Sequence, residues 1–141
     1  MPGISTHELT QKLKDLSTFQ TIIDENSSDF IAQPLSEALA DLLKKKGITR
    51  SQAIKKSMIN TIYGQQIFAG SKTPSRDKLL LLAFGMNLTF EETDILLKQQ
   101  GYPRLYAKRQ RDAIIIYGLM HKTSLMDINT LLFENELETL I

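Results

Sequence analysis

Residues 60–70 read NTIYGQQIFAG. Wound as a helix at 100° per residue, the stretch divides into two sides. Asn60, Tyr63, Gly64 and Ile67 share one side, which is expected to pack inward. Thr61, Ile62, Gln65, Gln66 and Ala69 share the other. The second side has recognition chemistry to offer. A glutamine amide carries both donors and an acceptor and can bond bidentately to the edge of adenine, and isoleucine or threonine can touch the methyl group of thymine. No arginine or lysine stands on that side, so the commonest specific pairing, arginine with guanine, is absent.

Cations gather around this stretch. The 141-residue chain carries a net charge of only +1, but the charge is unevenly placed. Residues 1–30 hold two basic and five acidic side chains, residues 31–110 thirteen and six, and residues 111–141 two and five. Most of the excess lies in 42–78, where nine basic residues stand against the single acid Asp77. A basic segment inside a nearly neutral chain points to a polyanion. A solvated face is the alternative for a run such as Lys44–Lys46, because cations at a helix C-terminus also favour the helix dipole.

Chemistry of other kinds is poorly provided for. There is no phosphate loop, dinucleotide fingerprint or nucleophile motif, so an enzyme is not expected. His7 and His121 lack the carboxylate spacing of a metal site, and no cofactor is implied. Glu91, Glu92 and Asp94 open a helix, where acids favour the dipole, which outweighs an acid–base role. Cysteine is absent, which excludes disulfides and thiolate ligands. No run of 18 apolar residues occurs, so no membrane span is expected. MPGISTHELTQKLKD lacks the apolar stretch of a signal peptide, and the expected compartment is the cytoplasm.

The elements that position the 60–70 stretch read as all helix. Ser5 with Glu8 forms a capping box ahead of Leu9, Leu13 and Leu16, and a short helix is expected over 18–25 with Phe19, Ile22 and Ile23 on one face. Pro34 precedes LSEALADLLKKK, which Gly47 stops. Thr49 caps a helix through about Ser57, Asn60 one ending at Gly70, and Ser75 the next, after Pro74. Thr89 with Glu92 opens a helix closing at Gly101. Two more are expected over about 108–121 and 124–135. Met58, Met86, Met120 and Met126 read as core fillers.

RDKLLLLAFGMNLTFEETDILLKQQ, from Arg76, aligns without gaps to RDAIIIYGLMHKTSLMDINTLLFEN, from Arg111, at an offset of 35. Arg76-Asp77 meets Arg111-Asp112, Leu79–Leu81 meets Ile114–Ile116, and Leu96-Leu97 meets Leu131-Leu132. Each copy reads as a helical hairpin, and the last is expected to pack on the one before it.

Residues 36–98 resemble the helix-turn-helix domain of the Cro and phage-repressor family, the Xre-like regulators. The resemblance is carried by Gly47-Ile48-Thr49, by Ile67-Phe-Ala-Gly70, by Lys72-Thr-Pro-Ser75, and by Phe84-Gly-Met-Asn-Leu-Thr89, in the family's order and spacing. YGQQIFAGS with PSRDKLL and the downstream GYPRLYAKRQRDAIIIYGL looks like a subgroup of bacterial Xre-type proteins with an extra C-terminal hairpin. It implies an all-α, lambda-repressor-like five-helix domain with flanking N- and C-terminal helices, divided into residues 1–33, 34–102 and 103–141. It also implies a transcriptional regulator that binds double-stranded DNA, usually as a homodimer. Thr61, Ile62, Gln65 and Gln66 fall at the family's base-reading positions. Thr49, Arg50 and Ser51, with Lys72 and Arg76, fall where phosphate contacts are made. Three positions depart from the pattern. Ile54 stands where the family has Ala, Met58 where the turn begins with Gly, and Gly64 where an inward Ile or Leu is usual, so a bulkier Ile54 is expected to face a bare Gly64. The alternative is an adaptor that uses the same fold to bind a protein partner, with Ile62 on its surface.

Overall fold

Short polar side chains cap the starts of five of the seven helices among the described residues. The structure, a computed structural model, describes residues 33–141, and among these it is all-helical, with no strand. The helices are α1 (Leu35–Lys46), α2 (Arg50–Ser57), α3 (Thr61–Ala69), α4 (Arg76–Gly85), α5 (Phe90–Gln99), α6 (Gln110–His121) and α7 (Leu125–Glu134). The helices expected before Pro34, and His7, lie outside the described residues.

The caps follow the sequence closely. Thr49 and Thr89 each form a full capping box. Their hydroxyls accept the N–H of Gln52 and Glu92 at 3.1 Å, and those side chains return bonds to the N–H groups of Thr49 and Thr89 at 3.0 and 2.9 Å. Asn60, Ser75 and Ser124 each accept one N–H three residues on. Each such bond satisfies a donor that a helix start leaves unpaired. Helix α6 starts at Gln110, two residues later than expected, because Arg109 N–H closes a turn onto the Tyr106 carbonyl at 2.9 Å.

The 35-residue repeat is present in the backbone and runs beyond the 25 residues that align. Asn87 and Lys122, equivalent positions in the turns of the two hairpins, both have a left-handed φ, 57° and 53°. Leu88 N–H bonds Ala83 O, and Thr123 N–H bonds Gly118 O. At the other end of each hairpin, Tyr102 N–H bonds Leu97 O and Leu137 N–H bonds Leu132 O, both at 2.9 Å. Asp94 then accepts from Leu105 N–H at 2.9 Å, and Asn129 from Leu140 N–H at 2.8 Å. Every pair is 35 residues apart, so the equivalent units are 76–106 and 111–141.

The two units are joined reciprocally. Arg76 donates to Asp112 at 3.0 and 3.3 Å, and Arg111 donates to Asp77 at 2.9 and 3.0 Å. The two pairs are reciprocal: each unit gives its arginine to the other unit's aspartate. Each arginine also holds its own unit's tail, Arg76 through Pro103 O and Arg104 O, Arg111 through Glu138 O and Thr139 O.

Helix α4 lies at the centre. Leu79, Leu80, Leu81, Leu82 and Ala83 are all buried, the mark of a helix with neighbours all round. Helix α2 crosses it closely: a Cβ on Gly85 would stand 2.5 Å from the Ala53 carbonyl oxygen and 2.8 Å from Ser57 Cβ. On its other flank, a Cβ on Gly118 of α6 would meet Phe84 of α4 at 3.1 Å and Ile128 of α7 at 2.5 Å, so the last hairpin packs into the same core. Of the four methionines expected as core fillers, only Met86 is buried. Met58, Met120 and Met126 are exposed, because Met58 occupies a left-handed turn and the other two lie on outer helix faces.

The carboxylate of Asp112 is only 4% exposed, and it also accepts the N–H of Tyr106 at 3.0 Å. Asp112→Ala strands a part-buried guanidinium and is expected to lower unfolding free energy by about 3 kcal/mol. Replacing both partners, in Arg76→Met with Asp112→Leu, is expected to recover much of that loss. Urea denaturation checks both. A loss below about 0.5 kcal/mol for the single variant would remove the pair from its structural role.

Candidate nucleic-acid interface

Helix α3 is held by both its ends. Asn60 Oδ1 accepts the N–H of Tyr63 at 3.0 Å, and Gly70, at φ 86°, lets Ser71 N–H fold back onto Gln66 O at 3.0 Å. The angular division of the helix is reproduced with two corrections. Gly64 and Ile67 are buried and Tyr63 is half-buried, but Asn60 is exposed, because its side chain is spent on the cap. Phe68 joins the inward side, 3% exposed, with the Arg50 guanidinium 5.6 Å from its ring centroid. This cation–π contact sets the N-terminus of α2 beside the C-terminal half of α3.

On the outward side, Thr61, Ile62 and Ala69 are exposed, Ile62 at 71%. Gln65 and Gln66 are half-buried, and no hydrogen bond to a described residue engages either side-chain amide. At the start of α2, Thr49, Arg50 and Ser51 are all exposed. The Thr49 hydroxyl accepts its capping bond and keeps its own proton to donate. Lys72 is exposed just past the end of α3.

Arg76 departs from the expected phosphate set. Four of its five guanidinium N–H donors are taken, by Asp112 and by the Pro103 and Arg104 carbonyls, and its side chain is largely covered. The lysine run is likewise partly spent: Lys45 and Lys46 each stand 2.7 Å from Glu92. Of the cations in 42–78, Lys44, Arg50, Lys55, Lys56, Lys72 and Lys78 make no ion pair among the described residues, and they are the ones left to act outward. Sequence reasoning missed these pairings because the acids lie 36 and about 46 residues away along the chain.

The three departures from the helix-turn-helix pattern find a physical account here. A Cβ on Gly64 would meet Ile54 Cγ2 at 2.8 Å and Cγ1 at 3.0 Å, so the larger Ile54 fills the space that Gly64 leaves empty. The small residue needed where α2 crosses α4 is Ala53, one position earlier. Met58 takes the left-handed conformation, φ 61° and ψ 19°, that closes α2.

Two measurements follow from this geometry. Gly64→Leu overpacks the α2–α3 contact and is expected to destabilise the protein by about 2 kcal/mol, with a compensating gain when Ile54→Ala is added; additive losses in a double-mutant cycle would refute the fit. Burial raises the pKa of Glu92, but bonds from Lys45, Lys46 and the Thr89 N–H outweigh it and hold the carboxyl at about 2 against an ordinary 4.5. The stability this contributes is fully present above pH 4.5 and is lost as pH falls from 4.5 toward 2. Glu92→Gln is expected to cost about 1–2 kcal/mol at neutral pH, a value reduced because Lys45 is largely exposed. It is also expected to flatten acid unfolding across that window; an unchanged acid limb would count against it.

The chain matches no protein-family model, no curated protein and no solved structure.

Proposed function

We propose that residues 34–102 form an Xre-type, lambda-repressor-like helix-turn-helix domain that binds double-stranded DNA as a transcriptional regulator, with α3 in the major groove. The observation that carries this reading is the division of α3. One side is locked into the core by Gly64, Ile67 and Phe68, and the other presents Thr61, Ile62 and two glutamines whose amides have no partner among the described residues. In this arrangement Gln65 and Gln66 read adenine edges, and Thr61 and Ile62 meet thymine methyl groups. Thr49, Arg50 and Ser51, at the N-terminus of α2, and Lys72 contact phosphates on either side. Two copies of the domain, paired as a dimer, would meet half-sites about one helical turn apart. The site is read in a bacterial or phage-type cytoplasmic setting.

The exposed Ile62 supports a second reading, in which the same face binds a protein. Selection from a random DNA pool by the purified full chain separates the two. Enriched sites with a steep salt dependence are expected for the regulator. Gln66→Ala is then expected to cost about 1–3 kcal/mol and to relax preference at one base position. Lys72→Ala is expected to weaken all sites evenly and to reduce the salt slope by about 1. A folded chain that enriches no site would favour the adaptor.

A further inference from the structure

A cleft of about 440 Å³ is lined by the turns of both hairpins, by the end of α1 and by the last turn of α2. Its size lies within the roughly 300–1,000 Å³ of small-molecule sites. Asn87 and Lys122, equivalent positions of the repeat and both left-handed, are among its walls, so the repeat brings its two turns to one cleft. The floor is apolar. Phe84, Leu88, Leu119 and Leu125 line it, and the three leucines are buried, which makes the feature a recess and not a flat patch. Helix α3 contributes no residue, so the cleft is separate from the face proposed to read DNA.

The charged walls of the cleft are of one sign. Lys56, in the last turn of α2, and Lys122, which closes α6, are exposed and make no ion pair among the described residues. Lys46 also lines the cleft, but Glu92 stands 2.7 Å from its ammonium. No acid is among the lining residues. Of the acids that follow its walls in sequence, Glu92 is taken by Lys45 and Lys46, and Glu91 and Asp127 stand outside the lining. Neutral donors are also unspent. The side chains of Asn87 and Thr123 make no hydrogen bond among the described residues, and the Ser124 hydroxyl, which accepts the Asp127 N–H at 3.1 Å, keeps its own proton to donate. Cations of one sign over low-dielectric walls concentrate their field in a recess, and an anion there is attracted more strongly than on an open surface. A bare inorganic anion leaves the leucine floor in contact with water, whereas an apolar body covers it and gains the free energy of that burial. A neutral apolar molecule gains nothing from the lysines.

We propose that this cleft binds a small organic anion, its carboxylate, sulfonate or phosphate head held by Lys56 and Lys122 and its compact apolar body laid on the leucine floor. The probe is 8-anilinonaphthalene-1-sulfonate, whose fluorescence rises when its rings leave water, titrated into the full-length protein. Saturable binding is expected. Lys56→Glu and Lys122→Glu are each expected to weaken it about threefold, and the two together at least about tenfold. Lys122→Arg, which keeps the charge, is expected to retain the parent affinity. Lys55→Glu, one residue from Lys56 but outside the lining, is expected to change nothing. All three lysines are exposed, so the melting temperature of each variant is expected to stay near that of the parent. N-phenyl-1-naphthylamine, the same ring body without the sulfonate, is expected to bind more weakly and to lose nothing in the double variant. Absence of saturable dye binding overturns the proposal. So does binding that survives the double reversal, because the dye then sits on another apolar surface, or binding that Lys55→Glu weakens equally, because only net charge then matters. Inorganic phosphate that displaces the dye at the dye's own concentration overturns the apolar half of the site. Loss of random-sequence duplex binding in the double variant but not in Lys55→Glu overturns the small-molecule reading, because the two lysines then serve a polyanion.

Discussion

Two arginines hold the second half of this molecule together, each reaching across to the aspartate that follows the other. Arg76 and Arg111 are about four-fifths covered, so each guanidinium draws most of its acceptors from the protein. The acceptors come from two sources at once: the carboxylate of the opposite unit and two carbonyls of the arginine's own tail. Asp77 raises the Arg111 pKa further by its hydrogen bond, against the opposing effect of burial, so this charge does not switch off. A fork of fixed geometry, filled from both sides, sets the register of α4 against α6 and pins both tails. Such a pair adds little stability over apolar side chains of the same size, but a shifted register would leave several charges unpaired. Its use here is to select one arrangement of two similar hairpins.

What was legible in the sequence was local. A cap places a side chain within three residues of the N–H it satisfies, and the caps at Thr49, Asn60, Ser75, Thr89 and Ser124 stand where their residue types put them. The repeat could be read as far as side chains match. Its last six positions could not, because they share geometry rather than residue type: Gly101 and Glu136 have left-handed φ of 78° and 58°, and of the six only Leu105 and Leu140 are identical. The face of α3 was legible by angle except at its ends, where a cap drew Asn60 outward and the approach of Arg50 accompanies a buried Phe68.

Charge was less legible, for a tertiary reason. A count along the chain finds nine cations in 42–78, but pairing is decided by residues distant in sequence. Lys45 and Lys46 neutralise Glu92, and Arg76 belongs to the joint between the hairpins. Lys46 and Arg76 are largely covered and Lys45 remains exposed, but all three have an acid as partner, tying α1 to α5 and the first unit to the second. The outward potential of the basic segment therefore rests on fewer side chains, among them Arg50 and Lys72, on either side of α3. Removing the inward pairs from the count sharpens where a polyanion would be felt, and it does so without needing a cation on α3 itself.

The position of α3 follows from that joint through a short series of close contacts. The arginine–aspartate pairs fix α4. Helix α2 lies on α4 where Gly85 has no side chain and Ala53 a small one, and helix α3 lies on α2 where Gly64 receives Ile54. Contacts this tight leave little room for rotation: at Gly85 a displaced backbone meets the backbone of α2, and at Gly64 it meets the branched side chain of Ile54, which is stiff at χ1. Between the two helices, Met58 holds a left-handed conformation that costs a non-glycine residue roughly 1–2 kcal/mol. A cost of that size persists only where the surroundings leave no cheaper path for the chain, and here the helix-to-helix fits on both sides of the turn provide that constraint. The exposed side of α3 is thus presented by a rigid corner, and its chemistry is set by what lies on it rather than by how it can move.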